Sequence, residues 1–255
     1  MQLHIAHLYP ELLNIYGDKG NVIAFTKRCL WRNIEVEIHE INPGDDIDPD
    51  LYDFYFIGGG QDQQQIMVAG ELQKQAENLR EAANNNVVFL TICGGYQLLG
   101  HYYKPHDGDK IPGVSILDAY TVAGNTRFIG NVTVKLNFEI ATPASQVRND
   151  SSTSFNKLVG FENHSGLTYL QGETKPIGMV QIGNGNNGKD KTEGAIFKNV
   201  FGTYLHGSLL PKNPKFTDHL ITLALKRRYG NNIQLPELND EIELLAHKKV
   251  INKKY

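Results

Sequence analysis

Cysteine is scarce in this chain. Only Cys29 and Cys93 occur among 255 residues, too few for the disulfide framework of a secreted scaffold. Free thiols and a cytoplasmic location are the expectation. Long apolar runs are missing as well. No segment approaches the roughly 18 residues of a membrane span, and the opening MQLHIAHLYP lacks the basic start and apolar stretch of a signal peptide. Membrane insertion is therefore not expected. Neither sign of charge dominates. The net charge is −3 and the isoelectric point is about 6.3, so there is no global electrostatic case for nucleic acid. The late basic stretches LKRRYG and HKKVINKKY read as a solvated helix face and a frayed tail. No Walker-type phosphate loop occurs, so ATP chemistry is expected on another chain. Internal repeats and domain-sized linkers are absent too, which leaves one domain over 1–255.

What is present is enough apolar sequence for a core, 40% of residues. In the first half, strand-like runs alternate with helical ones. LHIAHLY reads as a strand and residues 19–32 as a helix. IEVEIHEI and YDFYFIG follow as strands. QQQIMVAGELQKQAENLREAA is then one helix, and VVFLTI another buried strand. That rhythm predicts a mainly parallel sheet with helices on its faces. In the second half GNVTVKLNFEIAT, LVGFENHSGLTYL, PIGMVQIG and GAIFKNVFGTYLHG are closely spaced strands, expected as antiparallel or mixed additions to the sheet. TPASQVRNDSSTSFNK and GNGNNGKDKTEG read as surface loops. NPKFTDHLITLALKRRYG is a helix that stops at Gly230, and 237–255 form a C-terminal helical appendage.

Cys93 stands where the VVFLTI strand meets a helix-like segment, and Gly94 and Gly95 follow it. In parallel sheets, function collects at such strand-to-helix junctions. The bend presents the side chain outward, and the positive end of the helix favours thiolate. Glycines let the chain turn and let a substrate carbonyl approach. These features mark Cys93 as a nucleophile at an elbow. Cys29, in TKRCLWRN, reads as packing.

A thiol nucleophile needs a base, normally histidine. Of nine histidines, His4, His7 and His39 lie in early strands, and His101 and His106 follow the elbow too closely to fold back. His219 and His247 look like helix-surface residues. His164 and His206 each end an apolar strand before a small turn. His206 is the favoured base, because its strand is buried in pattern and Pro211 and Pro214 stiffen the loop after it. His164 is assigned a structural or supporting role.

At these residues the chain resembles class I, triad-type glutamine amidotransferases. CGGYQ fits their Cys-x-Gly-x-Gln elbow, and His206 matches the histidine of their catalytic pair. IGGGQD resembles the glycine loop that supplies an oxyanion donor. Within the class, LYPELLNIYGDKGN, GGGQDQQQ, GNTRFIGN, GFENHSG and TYLHGSLLPKNP resemble the cobyric-acid-synthase-like group, and in it the glutaminase subunits of lipid II isoglutaminyl synthase. The likeness runs over most of the chain.

That resemblance implies a flavodoxin-like, three-layer α/β fold and hydrolysis of L-glutamine through a Cys93 thioester. His206 moves the proton, the Gly59 and Gly94 N–H groups hold the oxyanion, and Arg127 grips the substrate α-carboxylate. Gln97 lines the glutamine pocket or braces the elbow helix, and Asp18 caps the helix that follows it. No cofactor or metal is expected in this chain. ATP and Mg belong to the implied partner, a Mur-ligase-like synthetase in a heterodimer, which amidates D-glutamate of the lipid II stem peptide to D-isoglutamine. Work at the inner face of the membrane through that complex follows from the lipid-linked acceptor.

One departure stands out. The group commonly places an acid two residues after the histidine, whereas here Ser208 occupies that position. A carboxylate from the partner, or Glu162, is expected to complete the site. Other readings of the same residues are the glutaminase of a cobyrinate-type amidating synthase, a cysteine-peptidase-like hydrolase, and a scaffold without chemistry.

Overall fold

Strands with two buried faces read as unbroken apolar runs, and two such runs form the centre of the molecule. FYFI and VFLTI are buried throughout. In the computed structural model, which describes residues 1–140 and 156–252, they are β3 (Phe54–Ile57) and β4 (Val88–Ile92). β1 (Gln2–Leu8) and β2 (Glu35–Ile41) flank β3, while β11 (Ala195–Phe197) and β12 (Val200–Thr203) flank β4, in the order β11-β12-β4-β3-β1-β2. Every neighbouring pair is parallel except the β11–β12 hairpin. Consecutive strand residues face opposite sides. Phe54 stacks on Phe25 of helix α1 (Lys19–Leu30) at 4.3 Å, and Tyr55 stacks on Phe89 at 4.5 Å.

The region expected as one helix over 63–83 is two, α2 (Asp62–Lys74) and α3 (Ala76–Asn84). The break is at Gln75, with φ −100° and ψ 7°. There the Gln75 side chain turns to the 45–47 loop, accepting from Ile47 N at 3.2 Å and donating to Asp46 Oδ1 at 3.2 Å. After β4 come the short helix α4 (Gly94–Leu99) and strands β5 (Tyr102–Lys104), β6 (Ile111–Pro112), β7 (Ala119–Leu136), β8 (Lys157–Leu170), β9 (Gly178–Ile182) and β10 (Thr192–Glu193). These β-strands do not join the first sheet as expected. They form a second six-stranded sheet centred on β7, and only β11 and β12 return to the first. The long β7–β8 pairing uses thirteen register positions of its own, so those strands satisfy each other's backbones without the parallel sheet.

Of the two expected surface loops, 142–157 falls almost wholly outside the described residues. The other, 183–194, is partly internal: Asn186, Asn187 and Glu193 are buried. Asn186 replaces solvent there, donating to the Gly194 carbonyl at 2.9 Å, accepting from Gly194 N at 3.0 Å and from the Tyr96 hydroxyl at 3.1 Å. Buried asparagine at four-way hydrogen-bonding capacity can stand in for water in this way.

Helix α5 (Leu209–Lys212), α6 (Pro214–Tyr229) and α7 (Glu241–Asn252) close the chain. Gly230 ends α6 at φ +95°, as the stop signal required. The C-terminal appendage is docked: α7 packs on α5, β7 and β8, and buried His247 donates from Nδ1 to the Lys212 carbonyl at 2.9 Å. His247 is therefore not a helix-surface residue. His219 is half-buried beside Phe138 and Phe216, since the helix face that carries it covers the β12 end of the sheet. Where α1, α6 and the start of α7 meet, buried Arg28 makes a two-pronged ion pair with Asp218 (2.7 and 2.7 Å) and a third bond to Asp240 at 2.7 Å.

Candidate active site

Strands β1, β3, β4 and β12 are neighbours and run the same way, so their C-terminal ends open on one edge. Function gathers at that edge in open α/β sheets. Each strand contributes one piece: Asp18 beyond β1, the Gly58–Gly60 loop after β3, Cys93 after β4 and His206 after β12. Parallel pairing of Ile92 with Thr203 sets Cys93 and His206 side by side although 113 positions separate them in sequence.

Cys93 takes φ +50° and ψ −104°, a sterically costly conformation for a side-chain-bearing residue. Surrounding contacts hold it. Its N–H donates to the Thr203 carbonyl at 2.8 Å, and Gly95 N–H donates to Gly58 O at 3.2 Å. A Cβ on Gly95 would lie 2.7–2.9 Å from Ile57 and Gly58, and one on Gly94 would lie 3.0 Å from Gly60 N. The two glycines thus let the elbow helix rest on the glycine loop. Cys29 is fully buried and its thiol is pushed up to about 12 by burial, so it is packing, as read from the sequence.

Behind His206 stands Asp18. Its Oδ1 faces His206 Nδ1 at 3.4 Å, both side chains fully buried. The expectation that Asp18 caps a helix does not hold: its side chain makes no capping bond and turns inward. Nor does Glu162 complete the site. Its carboxylate accepts from Asn184 N (3.0 Å), Asn184 Nδ2 (2.6 Å) and Gly185 N (3.1 Å). Ser208, at the position where an acid was awaited, does something else. Its hydroxyl donates to the Gly17 carbonyl at 2.6 Å, and Leu210 N donates to Asn21 Oδ1 at 2.9 Å. These bonds lock the histidine loop to the turn that carries Asp18. That turn can approach closely because Gly20 has no side chain; a Cβ there would fall 2.2 Å from Ser208 Oγ.

Burial alone would lower the His206 pKa, but the neighbouring Cys93 and Asp18 outweigh it and raise the value. The protonated imidazole is favoured, with Nδ1–H directed at Asp18 and Nε2–H on the thiol side of the site. A side-chain hydrogen bond with Cys93 contributes to that rise, and the Tyr16 ring meets the imidazole edge-to-face with centroids 5.0 Å apart.

The expected oxyanion donors divide. Gly94 N–H is at the elbow, but Gly59 N–H donates to Asp18 Oδ2 at 2.8 Å and is spent there. Gly60 lies beside Gly94 and lines the same cleft as Cys93. The cleft is about 710 Å³, roomy for an amino acid. Arg127 is exposed on its wall, donating to Asn163 Oδ1 at 2.6 Å and to the Tyr16 hydroxyl at 3.1 Å. Gln97 both lines the cleft and braces it, donating to the Tyr204 hydroxyl at 3.0 Å; its Oε1 is buried without a partner. His164, also in the cleft wall, stacks on Tyr204 at 3.6 Å and donates from Nδ1 to Gly166 O at 2.8 Å. Burial takes its pKa down to about 4, so it is neutral and Nε2 is an acceptor. Asp18, Tyr16 and Gly60 were not picked out from sequence as site residues; the Gly-Asp-x-Gly spelling of the 17–20 turn was the one available signal.

Under this wall lies Glu193, fully buried and accepting from Thr203 Oγ1 at 2.6 Å and Tyr204 N at 2.8 Å. Burial raises its pKa from 4.5 to about 7. Between those values the unfolded chain has released a proton that the folded chain keeps, so stability falls as pH rises. Thermal unfolding from pH 5 to 8 should show this loss, on the order of 2 kcal/mol, and Glu193→Gln should remove it. An unchanged pH slope in the variant would assign the loss to another group.

Comparison with known proteins gives a consistent placement. The sequence family of CobB/CobQ-like glutamine amidotransferase domains matches residues 4–214. Subunit GatD of lipid II isoglutaminyl synthase (glutamine-hydrolyzing) from Streptococcus pneumoniae is 40% identical over 242 residues, covering 94% of this chain and 86% of that protein. The Staphylococcus aureus GatD subunit is also 40% identical, over 99% of this chain and 96% of its own. A cobyric acid synthase of Thermodesulfovibrio yellowstonii is 30% identical over 51% of this chain and 24% of that protein. Among solved structures, a glutamine amidotransferase from Thermotoga maritima superposes with a TM-score of 0.54 at 14% identity, over 97% of this chain and 93% of that one, a likeness of fold. With its elbow cysteine and histidine on adjacent parallel strands, this chain belongs to the CobB/CobQ-like glutamine amidotransferase family, among the relatives of the GatD glutaminase subunits.

Proposed function

We propose that this chain is the glutaminase subunit of a lipid II isoglutaminyl synthase. It hydrolyses L-glutamine to glutamate and ammonia and passes the ammonia to a Mur-ligase-like synthetase. The observation that carries the reading is the buried Asp18–His206 contact beside an elbow cysteine that lines a cleft with room for an amino acid. Cys93 has passed its proton to His206 Nε2, and the thiolate so formed attacks the side-chain amide carbon. Asp18 holds the imidazole in the tautomer that leaves Nε2 available and stabilises the imidazolium. The oxyanion sits between the Gly94 and Gly60 N–H groups, a contribution usually worth about 100- to 1,000-fold per donor. His206 then protonates the departing ammonia, and water activated by His206 cleaves the thioester to release glutamate.

Arg127, at the cleft wall, meets the substrate α-carboxylate. ATP and Mg are used by the synthetase, which activates the D-glutamate carboxyl of the lipid-linked stem peptide. The two chains form a heterodimer working in the cytoplasm at the inner face of the membrane. Identity of 40% to GatD subunits over nearly the whole chain supports this choice over a cobyrinate-type synthase. No helix among the described residues is long and apolar enough to cross a membrane.

A diazo-ketone analogue of glutamine tests the reading. Mass mapping should place the label on Cys93, and glutamine should block it. Arg127→Ala should raise the glutamine concentration needed for protection by about 10-fold or more, the loss of one charge-assisted contact. Labelling that glutamine does not block would remove this site from glutamine chemistry.

A further inference from the structure

At the far end of β1 and β2 from the cysteine, three metal-ligating side chains converge. His4 pairs with Glu37 across the two strands, and His39 lies two residues along β2, on the same face as Glu37. His4 Nδ1 is 3.1 Å from His39 Nε2 and 3.6 Å from Glu37 Oε2, and His39 Nε2 is 3.6 Å from Glu37 Oε1. We propose that His4, Glu37 and His39 form a binding site for a divalent transition-metal ion of the zinc class.

The distances fit such an ion. Ligand atoms about 2.0–2.1 Å from a tetrahedral zinc lie about 3.3–3.4 Å from one another. The two nitrogens are 3.1 Å apart and each stands 3.6 Å from a different oxygen of Glu37, so a rotation of the Glu37 side chain brings one oxygen to both nitrogens without a shift of the strands. Two imidazole nitrogens facing each other at 3.1 Å must share one proton, and a metal ion takes its place with a bond to each. Two nitrogens and a carboxylate suit zinc and its transition-metal neighbours, whereas magnesium and calcium prefer oxygen alone.

The surroundings hold the ligands ready. Gln2 Nε2 donates to Glu37 Oε2 at 3.3 Å, the kind of outer contact that orients a metal-binding carboxylate. The Tyr52 ring edge packs on His39 at 5.3 Å, and His4 N–H is anchored on buried Asp53 Oδ2 at 2.9 Å. The His4 and His39 side chains are 17% and 26% exposed and Glu37 is 53% exposed. Solvent therefore reaches the outer position, and water completes the tetrahedron. Because β2 is the sheet edge, the bound ion also ties that edge to β1.

The full chain, freed of metal by chelation and carbamidomethylated at Cys93 to silence the other thiol–histidine pair, tests this. Calorimetric titration with Zn²⁺ should show one site per chain, and the melting temperature should rise with Zn²⁺ concentration. Co²⁺ should give the intense visible absorption of a four-coordinate ion. His39→Gln, on the exposed edge, and Glu37→Gln should each weaken Zn²⁺ binding by more than about 10-fold, while the unalkylated variants keep wild-type glutaminase activity. No binding at millimolar Zn²⁺, or wild-type affinity in both variants, would overturn the assignment.

Discussion

Asp18→Asn is expected to lower the rate of glutamine hydrolysis by about 10³- to 10⁴-fold, the cost of the same exchange in Ser-His-Asp triads. Asparagine keeps the shape and still accepts the Gly59 N–H, so the glycine loop stays in place. What changes is the partner of His206 Nδ1. A carboxylate accepts Nδ1–H and stabilises the imidazolium formed when Cys93 gives up its proton. An amide can present its N–H₂ group instead, which selects the tautomer with hydrogen on Nε2 and blocks proton uptake there. The raised pKa of His206 owes part of its rise to Asp18, so the variant's imidazole should also titrate lower. KM should move little, because Asp18 is fully buried and has no access to substrate. A loss of only a few-fold would mean that Asp18 serves the loop rather than the imidazole, and would return the search for the orienting acid to the partner chain.

Arg28→Met should destabilise the fold by about 3–5 kcal/mol, the usual cost of removing one member of a buried ionic group. Arg28 is 4% exposed at its side chain, Asp240 3% and Asp218 18%. Burial works against the guanidinium charge, but the two carboxylates outweigh it and hold it firmly protonated. Removing it leaves Asp240 with Lys215 at 3.5 Å and Asp218 with Arg32 at 2.8 Å. Neither replaces the lost bonds from inside the junction. Urea unfolding should show the shift in midpoint. A shift worth less than about 1 kcal/mol would place these charges in effective contact with solvent, as for a surface pair.

These two positions differ in how far sequence could reach them. Arg28 looks like part of the basic last turn of a helix, and nothing local announces that it is buried between two acids 190 and 212 residues away. Asp18 sits where a helix cap is expected, just before Lys19. Its inward turn depends on Ser208 binding Gly17 and on Gly20 having no side chain, both contacts across about 190 positions. The same contact explains Gly59. Three consecutive glycines offered three N–H groups, and only the presence of Asp18 shows which is already used. Where chemistry leaves a local trace, sequence was sufficient. Cys93 is such a case, since an apolar strand, a thiol and two glycines mark an elbow in the sequence, although distant contacts hold its strained backbone.

The strand and helix rhythm of the first half, Cys93 and the glycines after it were determined by local sequence, because backbone geometry and burial periodicity act over a few residues. His206 was narrowed by pattern and by likeness to a family. Tertiary structure alone decided that β5 to β10 build their own sheet, that α7 is docked, and that Asp18 faces His206. Each of those depends on which distant groups satisfy a buried polar atom or strand edge, and that pairing is fixed only when the chain has closed on itself.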